Sequence, residues 1–577
     1  MTLIVETNSR LPMAQEYSRT VKRCPVCDNS ALHYLFSVGN YRLVECTDCG
    51  MLMLNPQPPD EALAEIYVNG YSLDDGTDEG RCHVDFLKRG TAKLYLDLLR
   101  KYGSDMSGAL LEIGFGGGDF LAEAERAGFT VTGVEHSDLS CERARKKLSP
   151  LATLVAGSIE SLPDVCDQYD VCVLSDLIDH VRDPFALMTR LNQLLKPGGV
   201  VLIATPDTDS WSARWMRFKW AEFRPEHLFY FNSANLESLF FRTEFDSVIV
   251  TPVRKILSLD YIAEHFKRFR VPLFSQAILT IQKLVPKCLR RRPFQVSLSG
   301  MVVLGRARKP KPEKRKLSLV VPAFNEAKTF KPAMEKLLAK EIDGLDIEII
   351  IVESNSTDGT RELALNYEDH PKVRLVLEDE PKGKGYAVRN GLKYVTGHFV
   401  MIQDADLEYD LEDYEALLDP LLSGKRAFVL GARHGGNKWK MRSFTGRFWM
   451  THFYNLGHWL FVGFFDLLFW VRLKDPPTMY KVFRADCLYG LRFDCNRFDF
   501  DWELVIKLIR KGYHPIEIPV NYRSRSSDEG KKVSPLRDPL TWVRAFLKYR
   551  FVRVDPLGEI SKMTRSGRGE TYEKTQG

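Results

Sequence analysis

The sequence predicts an α/β protein with two open, mainly parallel sheets behind a small cysteine-rich unit. Three observations predict it. Short apolar runs alternate with helical patterns twice along the chain, over 61–308 and again over 317–550. Such runs read as strands covered on both faces, which parallel sheets require. The stretch 309–316, KPKPEKRK, is basic and Pro-containing, as an exposed linker should be. Two Cys-x2-Cys pairs lie within residues 1–60, which end in the Pro-rich stop NPQPPD. The polar tail 551–577 reads as disordered.

Composition sets the limits. At 577 residues the chain exceeds one ordinary domain. Its hydrophobic fraction of 44% and charged fraction of 27% suit globular protein with several cores. A net charge of +5 is small for this length and argues against nucleic acid as a partner. The eleven cysteines form no disulfide framework and fit a reducing compartment. The first residues lack a basic start followed by an apolar core, so no secretory signal is expected. The most apolar stretch, Met450 to Val471, is interrupted by His452, Asn455, His458 and Asp466, so no transmembrane helix is expected. The expected location is cytoplasmic, with peripheral contact at the membrane face.

Cys24 and Cys27 are separated from Cys46 and Cys49 by 18 residues. Each Cys-x2-Cys knuckle can present two thiolates to one metal, and four close a tetrahedral zinc shell. A closed shell has no open position, so the zinc is expected to be structural.

The strands of the first large region are ALLEIGF, VTGVEH, YDVCVLSD and GGVVLIATPD. Glu112, Gly114, Gly116 and Gly118 form E-x-G-x-G-x-G at the turn from the first strand into a helix. Glycines allow positive φ and close approach of backbone to ligand. Glu135 ends the next strand, placed to hold both hydroxyls of a ribose. With these features, residues 85–308 resemble the class I S-adenosylmethionine-dependent methyltransferases. The resemblance implies that the glycine loop faces the amino-acid end of S-adenosylmethionine. Ser158 would lie on the adenine-side turn and Asp176 in the loop after the fourth strand. Where the family commonly has Leu-Glu-His, this chain has Ile178-Asp179-His180. Methyl transfer to a hydroxyl needs a base, and His180 and His227 are candidates. For each, ordering its own loop is an equal alternative.

The second region carries LSLVVPAFNE, IEIIIVESN, VRLVLED and HFVMIQDAD. Asp404 and Asp406 stand one residue apart at a strand end, where two carboxylates can share Mg²⁺ or Mn²⁺ facing a diphosphate. Lys384 and Arg433 are cations suited to phosphate. This series, over 317–550, resembles the family 2 glycosyltransferases, which have a GT-A fold and invert the anomeric centre. The resemblance implies that Pro322, Asn325, Glu326, Glu353 and Asp358 line the nucleotide of a nucleotide-sugar donor. Asp475-Pro-Pro-Thr-Met-Tyr-Lys481, Phe498-Asp-Phe-Asp-Trp-Glu503, Glu517-Ile-Pro-Val-Asn-Tyr522, Arg525 and Glu529 to Lys532 are most similar to the dolichyl-phosphate mannose synthase branch. Glu408 replaces the usual Gln, and Glu353-Ser354 replaces the usual double acid. The acceptor is therefore a polyprenyl phosphate or a glycan hydroxyl. A hydroxyl needs a base, and Asp475 is the candidate, with pairing to a nearby cation as the competing role.

The whole therefore reads as two Rossmann-like domains, a class I methyltransferase and a GT-A glycosyltransferase, behind an N-terminal zinc ribbon. The expected function is a bifunctional enzyme of glycan synthesis. One alternative is an active glycosyltransferase with a non-catalytic methyltransferase-like binding module. A second, an inactive scaffold, sits poorly with the complete D-x-D motif. Met450 to Val471 reads either as a helix in a membrane interface, flanked by Arg442, Arg447 and Arg472, or as an aromatic core helix. Lys287 and Arg290 to Arg292 read as a solvated surface patch.

Overall fold

The computed structural model describes residues 19–552, apart from 69–76, 105, 269–273, 309–313, 407, 434–447 and 524–536. Arg442, Arg447, Arg525, the run Glu529 to Lys532, most of the linker and residues 553–577 lie outside the described residues. The chain divides into two compact units, Met1–Pro310 and Lys311–Gly577.

In the first unit, β1 (Leu32–Val38), β2 (Tyr41–Cys46) and β3 (Leu52–Leu54) form an antiparallel ribbon. The ribbon expected over 1–60 is joined to the strands and core that follow it. β3 pairs with β9 (Phe229–Tyr230), far along the chain. Cys24, Cys46 and Cys49 share one apolar core with Leu111, Ile113 and Phe231. The ribbon is too small to bury its own apolar side chains, so it borrows the core of its neighbour.

The large sheet follows the helix α1 (Asp78–Tyr102). Its strands are β4 (Ala109–Ile113), β5 (Thr130–Glu135), β6 (Thr153–Ala156), β7 (Tyr169–Ser175), β8 (Leu195–Pro206), β10 (Phe245–Leu257) and β11 (Phe294–Ala307). The spatial order is β10-β11-β8-β7-β4-β5-β6. β4 to β8 are parallel, and the near-continuous burial of the central strands β4, β7 and β8 is what the apolar runs predict. β10 and β11 add an antiparallel edge that the sequence pattern did not reveal. The helix α2 (Asp119–Ala127) follows β4, and α3 (Trp211–Met216) follows β8. Between β10 and β11 lie α4 (Phe274–Leu284) and α5 (Lys287–Arg290).

The second unit has β12 (Arg315–Ala323), β13 (Leu345–Glu353), β14 (Val373–Leu377), β15 (Phe399–Ile402), β16 (Phe428–Ala432), β17 (Lys481–Arg484) and β18 (Ile516–Pro519). Their order is β14-β13-β12-β15-β17-β16-β18. β12 to β15 are parallel, whereas β17 runs antiparallel to both its neighbours. The helices α6 (Lys384–Gly391), α7 (Phe448–Phe469), α8 (Asp499–Lys511) and α9 (Arg537–Phe551) complete the elements used below. Among the described residues no helix is long and apolar enough to cross a membrane.

Candidate active sites

The four cysteines converge. Cys24 Sγ lies 3.5 Å from Cys49 Sγ, and Cys27 Sγ lies 3.4 Å from Cys46 Sγ. Tetrahedral zinc with Zn–S bonds of about 2.3 Å needs sulfurs about 3.8 Å apart, so the set fits the ion closely. Crowded together, the thiols pull Cys27 down and push Cys24 and Cys49 up, so the four ionise together only around a cation.

In the first unit, Gly114, Gly116 and Gly118 all have positive φ, at 72°, 54° and 76°. Only glycine adopts three such angles in one turn cheaply. A Cβ on Gly118 would lie 2.7 Å from that of Ala144, whereas one on Gly116 would meet nothing within 4 Å. Gly118 thus seats α2, and Gly116 faces open space. Glu135 accepts from Gly116 N at 2.8 Å and from Ser137 N at 3.1 Å, so it braces the loop and faces the same space. Ser158 stands beside it, because Gly157 N donates to the Glu135 carbonyl at 2.9 Å. Glu112 is buried with an orphan Oε2. Burial, reinforced by Asp119 and Glu135, pushes its carboxyl well above the usual range. A cation such as the ammonium of S-adenosylmethionine would satisfy that oxygen, so the residues fit the cofactor.

Asp176 has positive φ of 51° and accepts from Lys255 Nζ at 2.6 Å. The sequence reading missed Lys255, which arrives from β10, an edge strand it did not find. Tyr95, on α1, brings a buried hydroxyl to the same region, beside Ser175, Lys255 and Asp176. Burial pushes it up to about 12.

The two histidines meet edge-to-face with ring centroids 4.8 Å apart. They are not equivalent. His227 Nδ1 donates to the Glu222 carbonyl at 2.8 Å, and its Nε2 accepts from Arg224 at 3.0 Å. Both ring nitrogens are spent, which favours the loop-ordering role over the base. His180 is mostly shielded from water, and this lowers it to about 4, so it is neutral near pH 7. Its Nε2 lies 3.7 Å from Asp179 Oδ2. Both oxygens of Asp179 are buried without a hydrogen bond, and burial raises the carboxyl to about 7. The Asp in place of the usual Glu therefore sits at the centre of the histidine pair.

In the second unit, the predicted nucleotide residues knit two loops together. Asn325 accepts from Thr357 N at 2.9 Å, and Asp358 from Ala327 N at 3.0 Å. Glu326 N donates to Thr360 Oγ1 at 2.9 Å. Pro322 is paired within β12, opposite Val352 of β13. Glu353 is fully buried, held by Arg361 at 2.5 Å and Ser356 N at 2.7 Å. Glu353 and Asp358 thus shape the loops with the oxygens expected to meet nucleotide.

Asp404 follows β15 and accepts from Lys384 at 3.0 Å. Asp406 is buried and accepts from Glu408 N at 3.2 Å. Burial raises Asp404 to about 6, with Lys384 opposing and Asp406 and Asp501 adding to it. A carboxylate pair strained this way gains from a divalent cation, so the donors fit one. Glu408 accepts from the Tyr522 hydroxyl at 3.1 Å. Lys481, fully buried, reaches Asp501 at 2.8 Å. Neither was singled out, although both stand in the quoted runs.

Arg433 and Asp475 meet each other. Arg433 donates from Nε to Oδ2 at 2.7 Å, from Nη2 to Oδ1 at 2.7 Å and from its backbone N to Oδ2 at 3.0 Å. Despite full burial, the guanidinium holds Asp475 far below the carboxylate range. This geometry favours the competing role of Asp475, pairing with a cation, over that of a base, and engages Arg433 with the same carboxylate.

Residues 86–249 match the family model described as methyltransferase domain, and residues 318–474 match glycosyl transferase family 2. The second region is 27% identical over 236 residues to a dolichyl-phosphate beta-glucosyltransferase of Trichomonas vaginalis, covering 38% of this chain and 66% of that protein. It is 24% identical over 217 residues to a dolichol-phosphate mannosyltransferase of Pyrococcus furiosus, covering 37% of this chain and 59% of that protein. The chain thus spans about two thirds or less of the length of these relatives. Among solved structures, a SAM-dependent methyltransferase of Thermotoga maritima, described as a possible histamine N-methyltransferase, aligns with a TM-score of 0.29 at 20% identity. It covers 43% of this chain and 98% of that one.

Proposed function

We propose, from the premise that this chain is a transferase carrying a methyltransferase domain and a family 2 glycosyltransferase domain, that both are active and serve one glycan. The second transfers a sugar from a nucleotide donor with inversion, and the first methylates the product or its precursor. The observation that carries this reading is the cluster of Asp404, Asp406 and Lys384 at the end of β15. It sets two carboxylates for a metal beside an ammonium for phosphate.

In the first domain, S-adenosylmethionine would supply an electrophilic methyl group on a sulfonium. Glu112, Gly114, Gly116, Gly118, Glu135, Ser158 and Asp176 would hold it. That methyl group would go to an acceptor oxygen, which these residues would have to hold in line with it. Neutral His180 takes the acceptor proton, with Asp179 beside the ring to stabilise the imidazolium.

In the second domain, Mg²⁺ or Mn²⁺ held by Asp404 and Asp406 would neutralise the leaving diphosphate. Asn325, Glu326 and Asp358 position the loops that receive the nucleotide. The acceptor oxygen forms its bond on the face opposite the leaving group. With Asp475 locked to Arg433, an acceptor that is already anionic fits better than a hydroxyl. The relatives named for dolichyl phosphate support a polyprenyl phosphate in the same way. The zinc in the ribbon is structural.

A peripheral membrane contact is supported by α7, which has two faces. Val462 and Phe465 are buried, with Phe465 packed on Trp502 at 5.2 Å between ring centroids. Leu456, Leu460, Phe464, Leu467 and Trp470 form an exposed stripe, Trp470 at 83%. The buried face suits the core-helix reading, and the exposed stripe supports the interface-helix reading. The test incubates the protein with Mg²⁺ or Mn²⁺ and nucleotide sugars, scoring nucleotide release with and without a polyprenyl phosphate. Release that requires the lipid is expected. Equal release with a glycan and no lipid phosphate would exclude this acceptor.

A further inference from the structure

The basic stretch around Lys287 and Arg290 to Arg292 was expected to be a solvated patch. The structure places large apolar side chains among its cations. Ile281, Leu284, Leu289 and Phe294 are all exposed, Leu284 at 79% and Leu289 at 53%. They come from the end of α4, from α5 and from the start of β11. Residues 281–294 contain five Lys or Arg and no Asp or Glu. Arg290 and Arg291 reach Asp260 at 3.7 Å. Lys283, Lys287 and Arg292 have no acidic partner among the described residues. Purely solvated cations do not need four apolar neighbours in water. Apolar side chains interleaved with unpaired cations suit the headgroup region of an anionic bilayer, which takes both.

The position of this surface gives it a use. Leu257 at the end of β10 pairs with Phe294 at the start of β11, and Gly300 of β11 pairs with Pro206 at the end of β8. The chain between β10 and β11 therefore leaves and returns beyond the carboxyl ends of the parallel strands. The glycine loop and His180 lie at that same edge. So does α3, which follows β8 and exposes Trp211 and Trp215 one turn apart.

We propose that α4 and α5 dock the methyltransferase unit on an anionic lipid surface. Ile281, Leu284, Leu289 and Phe294 enter the headgroup region, and Lys283, Lys287 and Arg292 meet lipid phosphates. This contact is separate from the stripe on α7. Taken with the glycan reading above, on which this step rests, it makes the methyl acceptor a lipid-linked glycan presented at the bilayer.

Cys288 is exposed between Lys287 and Leu289 and serves as the reporter site. In the full chain, with exposed Cys82 and Cys166 changed to Ser, a polarity-sensitive bimane label goes on Cys288. The probe is phosphatidylcholine vesicles with or without phosphatidylglycerol. The expected result is a blue shift on the anionic vesicles only, reversed by high salt. Lys283→Gln, Lys287→Gln and Arg292→Gln should each weaken partitioning roughly five-fold, about a hundred-fold together. S-adenosylmethionine binding by calorimetry shows that each variant is folded. At saturating lipid the shift should survive Leu460→Ser and Leu467→Ser on α7 and Trp470→Ser just beyond it. No shift on anionic vesicles, or the same shift with soluble polyphosphate alone, overturns the proposal. So does unchanged binding of the triple Gln variant. None of these readings depends on turnover, so failure of the glycan reading leaves the docking result intact.

Discussion

Asp475→Asn tests the pairing that decides the acceptor chemistry. In the native protein both carboxylate oxygens lie 2.7 Å from nitrogens of Arg433, and Asp475 is fully buried. The amide keeps the shape but removes the charge, leaving the Arg433 guanidinium buried and uncompensated. Breaking one side of a buried pair typically costs about 3–5 kcal/mol. With a urea dependence of about 2–3 kcal/mol/M, the transition of the glycosyltransferase unit should fall by about 1–2.5 M. The sign with pH follows from the depressed value of Asp475. The native pair is intact above the unfolded carboxylate range and weakens only as pH falls through the depressed value. The loss in the variant should therefore be constant over roughly pH 6–8. The double variant Asp475→Leu with Arg433→Met should be less destabilised than the sum of its parts, because no charge is stranded. Urea melts of the four proteins at two pH values make the measurement. An unchanged melt, with loss of transfer only to hydroxyl acceptors, would refute the reasoning and restore Asp475 as a base.

Gly118→Ala forces a Cβ to 2.7 Å from that of Ala144 at a φ of 76°. It should cost about 1–3 kcal/mol and lower S-adenosylmethionine affinity in calorimetry, whereas a folded, tightly binding variant would mean that Gly118 does not seat the loop. His180→Ala should abolish methyl transfer while retaining cofactor binding, and His227→Ala should lower the melting temperature first; equal kinetic losses with equal stability would contradict the distinction. Burial lowers both histidines, so the unfolded chain binds their protons below about pH 6.5 while the folded chain does not, and Asp179, raised to about 7, opposes this with one proton. Glu112 and Asp207, also raised by burial, oppose the histidines in the same way, so the readable effect is a difference: between about pH 4 and pH 6.5 the slope of stability against pH should be more positive in Asp179→Asn than in the native protein, as read from melts across that range. Removing zinc with a chelator, or by Cys27→Ser, should lower the melting temperature of the whole first unit, since β3 is bonded to β9 and the cysteines share its core. A purely local change in the ribbon would contradict that coupling.

Much of the site chemistry was legible because it is local. Gly114 to Gly118 and Asp404 to Asp406 each span a few residues at the end of an apolar strand. Strand, turn and ligand groups are then fixed by neighbours in the chain. The two cysteine pairs were legible for the same reason, since each knuckle is four residues long. The edge strands β10 and β11 were not, because their antiparallel pairing depends on a long connection and on packing against β8.

By itself, then, the sequence determined two α/β units, their glycine and D-x-D turns, and the four-thiolate set. Only the tertiary structure decided what the charged side chains do. Asp475 meets Arg433 from 42 positions away, and Asp176 meets Lys255 from 79. Only folding showed that Leu284 and Leu289 stand in water among the cations of α4 and α5. A turn needs backbone torsions that adjacent residues set. The partner of a buried charge, and the face an apolar side chain finds, are set by elements distant in the chain that packing brings together.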